Sequence, residues 1–417
     1  MRSRASLGIV LATLAAVAVC TPAGAASAAE ETAKQDAGLV VDGCNAFAVD
    51  LYAQLKGEEG NLFFSPYSLS TALAMTYAGA AGNTAAEMAQ VLHFMLPQER
   101  LHPACARLIK GIEGAGEAEG CELSIANGLW GEQSYEFLKG FLQLVETNYG
   151  APLHEVDFIG ATEAARKRIN DWVAERTRDR IKDLIPVGIL DPLTRLVLTN
   201  AIYFKGDWQH PFKESRTSDT PFWVMPERSV SVPMMRQTES FGYRESDLCQ
   251  VLELPYAGDA LSMFVLLPRE RGGLASLEEA LTPDVLVQWT KTLRKRDVAV
   301  ELPKFSLTCQ FGLVDVLRAM GMVDAFSDTA ADFSRMDGRK ELYISAVIHK
   351  AFVDVNEEGT EAAAATAVVM TLRGMPDPPV AFRADHPFLL LIIHKPTGSI
   401  LFMGRITDPA GGAGDKS

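Results

Sequence analysis

The chain has 417 residues, 48% of them hydrophobic, and a formal net charge of −14. That supports a large core, in one large domain or two ordinary ones. The acidic balance excludes a nucleic-acid partner, whose phosphates need a basic footprint.

Residues 1–28 have the order of a secretory signal: Arg2 and Arg4, the uncharged run Leu7 to Val19, then small residues. Ala23-Gly24-Ala25 and Ala26-Ser27-Ala28 both suit cleavage. The run is too short for a membrane span, and no later stretch matches it without charges. Export is therefore expected. A lipid anchor at Cys20 is the alternative, although bulky Val19 precedes it.

Residues 29–38 read as a polar, alanine-rich leader, and Leu39, Phe47, Leu51 and Leu55 as the face of a first helix. Leu62 to Phe64 reads as a short strand turning at Pro66 into a helix that ends at Gly79, and Thr84 as the cap of the next. A helix is expected over Pro103 to Ile112, a strand over 123–130, and a long helix over 162–185. Arg195 to Phe204 is almost continuously apolar, as a strand buried on both faces requires. Short β-rich runs follow at 249–255, 260–268, 297–307, 341–355, 387–394 and 399–405. Helices early and strands late indicate an α+β fold. No repeat or linker divides the chain, which favours a single domain.

Catalytic signatures are missing: there is no GxxxxGK[ST], no GxSxG and no HExxH, since Phe158 stands where a second histidine is needed after His154-Glu155. His93, His102, His210 and His386 have no metal-ligand spacing, so neither metal nor cofactor is expected, and no enzymatic role. Five cysteines lie beyond residue 28 with no CxxC among them, an odd number that leaves at least one free thiol.

The segment EEGTEAAAATAVVM, residues 357–370, is the unusual one. Alanine favours a helix, yet the segment has no apolar stripe. Read with period two, it places Thr360, Ala362, Ala364, Thr366, Val368 and Met370 on one face, free of charge and proline. Such a strand could slide between existing strands without clash.

Its surroundings resemble the serpin family of serine protease inhibitors. NLFFSPYSLSTALAM, LTNAIYFKGDWQHPF, ISAVIHKAFVDVNEEGTEAAAATA and FRADHPFLLLIIHKPTGSILFMGRITDP carry the likeness, over about residues 39–409. The resemblance implies a serpin domain with a large mixed sheet, an exposed reactive-centre loop at about 357–382 and a metastable native state. Residues 410–417 are left as a flexible tail. The chain is identified as a secreted, prokaryotic-type member, monomeric and without a transmembrane segment.

The resemblance further implies a suicide mechanism, in which the target serine forms an acyl-enzyme on the loop. The freed loop then inserts into the sheet and carries the protease with it. About fifteen residues at roughly 3.3 Å each span close to 50 Å, enough to move the enzyme from pole to pole. The hinge falls on Glu357, Glu358, Gly359, Thr360, Ala362, Ala364 and Thr366. Family spacing puts the scissile bond sixteen residues after Glu357, at Arg373–Gly374, and so implies a trypsin-like partner held as a covalent acyl complex. Slippage to Leu372 would suit a chymotrypsin-like enzyme, and Met370 an elastase. A non-inhibitory substrate, carrier or storage role is the other alternative.

Ser65, Ser68, Asn200 and His349 match the family's polar cluster beneath the centre of the sheet. Lys304 and Glu357, near Trp208, match its ion pair at the top. Arg107 and Lys110 are too few for a heparin-like activator site. Cys105 and Cys121 occupy places where relatives often carry facing large residues, which in an exported chain suggests a disulfide; two independent buried thiols are the alternative.

Overall fold

The computed structural model describes residues 22–116, 120–359, 378–411 and 414–415. In chain order its α-helices are α1 (Pro22–Leu55), α2 (Pro66–Tyr77), α3 (Gly82–Val91), α4 (Gln98–Gly116), α5 (Lys139–Tyr149), α6 (Phe158–Arg176), α7 (Leu274–Glu279), α8 (Pro283–Lys291), α9 (Val314–Ala319) and α10 (Ser334–Asp337). The strands are β1 (Leu62–Phe64), β2 (Cys121–Glu132), β3 (Leu153–Val156), β4 (Leu196–Gly206), β5 (Ser218–Met225), β6 (Arg228–Glu245), β7 (Cys249–Pro255), β8 (Leu261–Pro268), β9 (Arg294–Pro303), β10 (Phe305–Gly312), β11 (Ile344–Val355), β12 (Val380–Arg383), β13 (Phe388–His394), β14 (Ser399–Ile406) and β15 (Gly414–Asp415).

Two sheets organise these elements. One runs β15-β10-β11-β4-β2-β3; the other runs β1-β14-β13-β8-β7-β6-β9-β12, with β5 paired to β6. The first is mixed, because β11 pairs with β4, and β2 with β3, in parallel, while β2 runs antiparallel to β4.

Strand β4 explains its own sequence. Leu196, Leu198, Ile202 and Phe204 point into the main core, with Phe47 of α1, Leu73 of α2 and Phe402 of β14. Val197 and Ala201 point the other way, under Phe158, Ile169 and Val173 of α6. Both faces are covered, so the run is apolar throughout. Each fully buried Leu, Ile or Phe contributes about 1.5–3 kcal/mol.

Several helix limits differ from the sequence reading. The expected leader, 29–38, is helical and continuous with α1. Alanine-rich sequence favours that extension, and Arg100 of α4 pins it by gripping Asp36, with Nε to Oδ2 at 3.0 Å. Helix α4 begins at Gln98 and takes Pro103 into its interior. Helix α6 begins at Phe158 rather than at Thr162, with the carboxylate of the N-cap Asp157 accepting from Gly160 N, and it stops at Arg176. Thr84 caps no helix; its hydroxyl accepts from Asp332 N at 2.9 Å.

The expected Cys105–Cys121 disulfide is corrected: both are free thiols. Cys105 lies on the buried face of α4 and shares a small void with Cys44 and Ser70. Cys121 opens β2, where its thiol donates to Ala257 O at 3.5 Å. Each sulfur has its own packing environment. Burial pushes the two thiols up to about 12 and about 11 respectively.

Candidate functional site

The parallel pair β4–β11 is the centre of the site. Its register runs from Ile344 opposite Leu196 to Phe352 opposite Tyr203, with a shift after Ile344, and sets His349 beside Asn200. Beyond Phe352 the two strands continue without pairing to each other, β4 to Gly206 and β11 to Val355. A parallel ladder is slightly less stable per residue than an antiparallel one, and this seam is the parallel join between the two central strands of the sheet.

Under the middle of the seam lies a buried polar cluster. Ser65 is the N-cap of α2, its Oγ accepting from Ser68 N at 3.1 Å and donating to Leu401 O at 2.6 Å. Ser65 N donates to His349 Nε2 at 3.0 Å. His349 Nδ1 donates to Asn200 Oδ1. Asn200 Nδ2 reaches Ser68 Oγ at 2.7 Å and also Asn127 Oδ1. Burial pushes the His349 imidazole down to about 3, so it is neutral and fixed as the Nδ1–H tautomer. All four residues expected from the sequence meet here.

Asn127 was missed. It sits on β2 directly opposite Asn200 and accepts from Ser68 Oγ at 2.9 Å. The signal available was an asparagine interrupting the apolar run Ile125-Ala126-Asn127-Gly128-Leu129, a polar group that must find partners if buried.

At the top of the seam, Lys304 Nζ lies 2.7 Å from Glu357 Oε2. Thr217 Oγ1, also missed, donates to Glu357 Oε1 at 2.7 Å. Burial alone would raise the Glu357 carboxyl, but the hydrogen bonds from Lys304 and Thr217 win and hold it below the ordinary value. Trp208 stacks on Tyr256, centroids 4.6 Å apart, and its Nε1 donates to Asn356 O at 3.0 Å.

The chain reverses immediately after β11. Asn356 N donates to Gly359 O at 2.9 Å, and Gly359 forms an antiparallel bridge with Asp207, just past β4. Gly359 has φ +138, and a Cβ there would lie 2.2 Å from Gly206 O, so only glycine fits. The turn thereby leaves Gly359 antiparallel to the chain at Asp207. Glu358 sits in this turn, its N–H donating to Asn356 Oδ1 at 3.1 Å. The expected Thr360, Ala362, Ala364, Thr366, Arg373 and Gly374 lie outside the described residues, as does Cys20. Among the described residues, no helix is long and apolar enough to cross a membrane.

Residues 42–409 match the model of a family described as serpin (serine protease inhibitor). Leukocyte elastase inhibitor A of Rattus norvegicus is 44% identical over 87% of this chain and 97% of its own. The leukocyte elastase inhibitor of Bos taurus is 46% identical over the same shares. The crystal structure of Serpin48 from the insect Tenebrio molitor, 35% identical, superposes with a TM-score of 0.79 over 88% of this chain and 98% of its own.

These relatives correct three expectations. The expected secretion and the Cys20 anchor are corrected, since the relatives matched over nearly their whole length are leukocyte elastase inhibitors, a likeness that conflicts with export. A prokaryotic-type secreted member finds no support among these animal proteins. The bare expectation of no enzymatic role gives way to a positive one, since the relatives are named for inhibiting a protease.

Proposed function

The chain belongs to the serpin family of serine protease inhibitors, and on that premise we propose that it traps its target as a suicide substrate cleaved at Arg373–Gly374. The observation that carries this reading is the parallel β4–β11 seam, followed directly by a reversal at Asn356–Gly359 and then by small, uncharged alternate residues.

The target's serine Oγ attacks the Arg373 carbonyl carbon, forming an ester as the bond to Gly374 N breaks. The serine proton passes through the target's histidine to the departing amine. Residues 360–373, no longer held at both ends, enter between β4 and β11. One parallel ladder is replaced by two antiparallel ones. Lys304–Glu357 and the Ser65–Ser68–Asn200–His349 cluster hold the seam closed until then, and the native state is a kinetic trap.

Arginine before the bond suits a trypsin-like pocket, where a buried carboxylate pairs with the guanidinium. A second reading, an elastase-type target engaged at Met370 or Leu372, draws on the names of the relatives. Parallel incubation with trypsin and with elastase, followed by mass spectrometry of the released carboxy-terminal peptide, separates them. A peptide beginning at Gly374 supports the arginine; one beginning at Thr371 or Arg373 moves the target class.

A further inference from the structure

A cleft of about 660 Å³ opens between α4, α5 and α10, away from the β4–β11 seam. Its apolar wall includes Phe141 and Leu144 of α5 and the preceding Leu138, which is 44% exposed. Exposed Lys139 and Arg335 also line it, and among the described residues neither is ion-paired. Glu99 is the opposing charge, so the cleft carries one net positive charge.

His102 is the unusual member. It is 2% exposed, lines the cleft from α4, and its Nε2 has no hydrogen-bond partner among the described residues. Its Nδ1 lies 2.6 Å from the hydroxyl of Tyr149, which burial keeps protonated. The hydroxyl is assigned as the donor to Nδ1, which places the imidazole proton on Nε2. A buried N–H without an acceptor is destabilising. Arg335, which also lines the cleft, donates to Gln98 Oε1.

We propose that this cleft binds a small amphipathic monocarboxylate, with its head group on His102 Nε2, Arg335 and Lys139 and its hydrocarbon against Phe141, Leu144 and Leu138. The occupant is an anion because the donors are two cations and one N–H. It is a chain or ring acid and not inorganic phosphate, because most of the wall is apolar.

Decanoate is the probe, with decyltrimethylammonium as the counterpart of reversed charge. Isothermal titration of the intact chain should give one decanoate site, weakened at least tenfold by Arg335→Ala or Lys139→Ala, and little uptake of the ammonium. Both substituted residues are exposed, so the fold is kept. In the unsubstituted protein, the ¹⁵N resonance of His102 Nε2 should move as decanoate is added. Equal uptake of both amphiphiles, binding indifferent to the two substitutions, an unmoved Nε2 resonance, or no binding at all would each overturn the proposal.

Discussion

Lys304 and Glu357 join the turn between β9 and β10 to the chain just beyond β11, with Nζ and Oε2 at 2.7 Å. Glu357 is 5% exposed, and the pair ties the turn after β11 to this corner of the sheet. Its folded pKa lies below the ordinary 4.5. Its contribution is therefore present above that value and is lost as pH falls through the folded one. Glu357→Gln should lower the urea midpoint at pH 7 by an amount equivalent to about 1–2 kcal/mol. The gap from the parent should close in acid. A gap that is constant down to pH 3 would contradict the assignment.

His349 gives the second pH dependence. Its pKa is pushed from 6.5 to about 3 by burial, and protonation would break its acceptance of Ser65 N–H. Stability from this residue is complete above 6.5 and declines as pH falls below it, because the unfolded chain then binds the extra proton. His349→Gln should flatten the acid limb of the unfolding midpoint between pH 6 and 4. An unchanged limb would show that other groups set it.

Asn127→Ala should cost about 1–3 kcal/mol, since it leaves Asn200 and Ser68 with one buried partner fewer. Unfolding rates in urea measure this, and no acceleration would remove Asn127 from the cluster.

What could be read beforehand divides along physical lines. Arg195 to Phe204 announced a strand covered on both faces, and the Ser65-Pro66 turn announced α2, because burial and capping leave marks on neighbouring residues. Asn127 as a partner of Asn200, and Thr217 as a partner of Glu357, did not. They lie 73 and 140 positions away, and only the folded chain brings such residues together. The start of α1 was missed because an alanine-rich stretch looks alike as leader and as helix until Arg100 is seen to grip Asp36. The disulfide failed because two cysteines 16 positions apart say nothing of where their sulfurs point.

Non-reducing peptide mapping should accordingly recover Cys105 and Cys121 as separate alkylated peptides. In the native protein Cys121, half-buried, should react with iodoacetamide before Cys105. A linked peptide would contradict this arrangement.

The loop itself supplies the sharpest substitution. On the proposed mechanism, Thr360→Arg puts a charge on the face that would be buried on insertion, where an unpaired ion is heavily penalised. The variant should still be cleaved at the same bond but release active protease, turning an inhibitor into a substrate. Unaltered inhibition would mean that insertion is not required.

The central claim is that cleavage of this loop ends in a trapped acyl-enzyme, and one measurement addresses it directly. The purified chain is mixed with trypsin, boiled in SDS and resolved by electrophoresis alongside an assay of residual protease activity. The account predicts a band at the summed mass of the protease and the chain lacking its carboxy-terminal peptide, with activity lost in proportion. A cleaved chain beside fully active trypsin, with no such band from trypsin or from elastase, would contradict it.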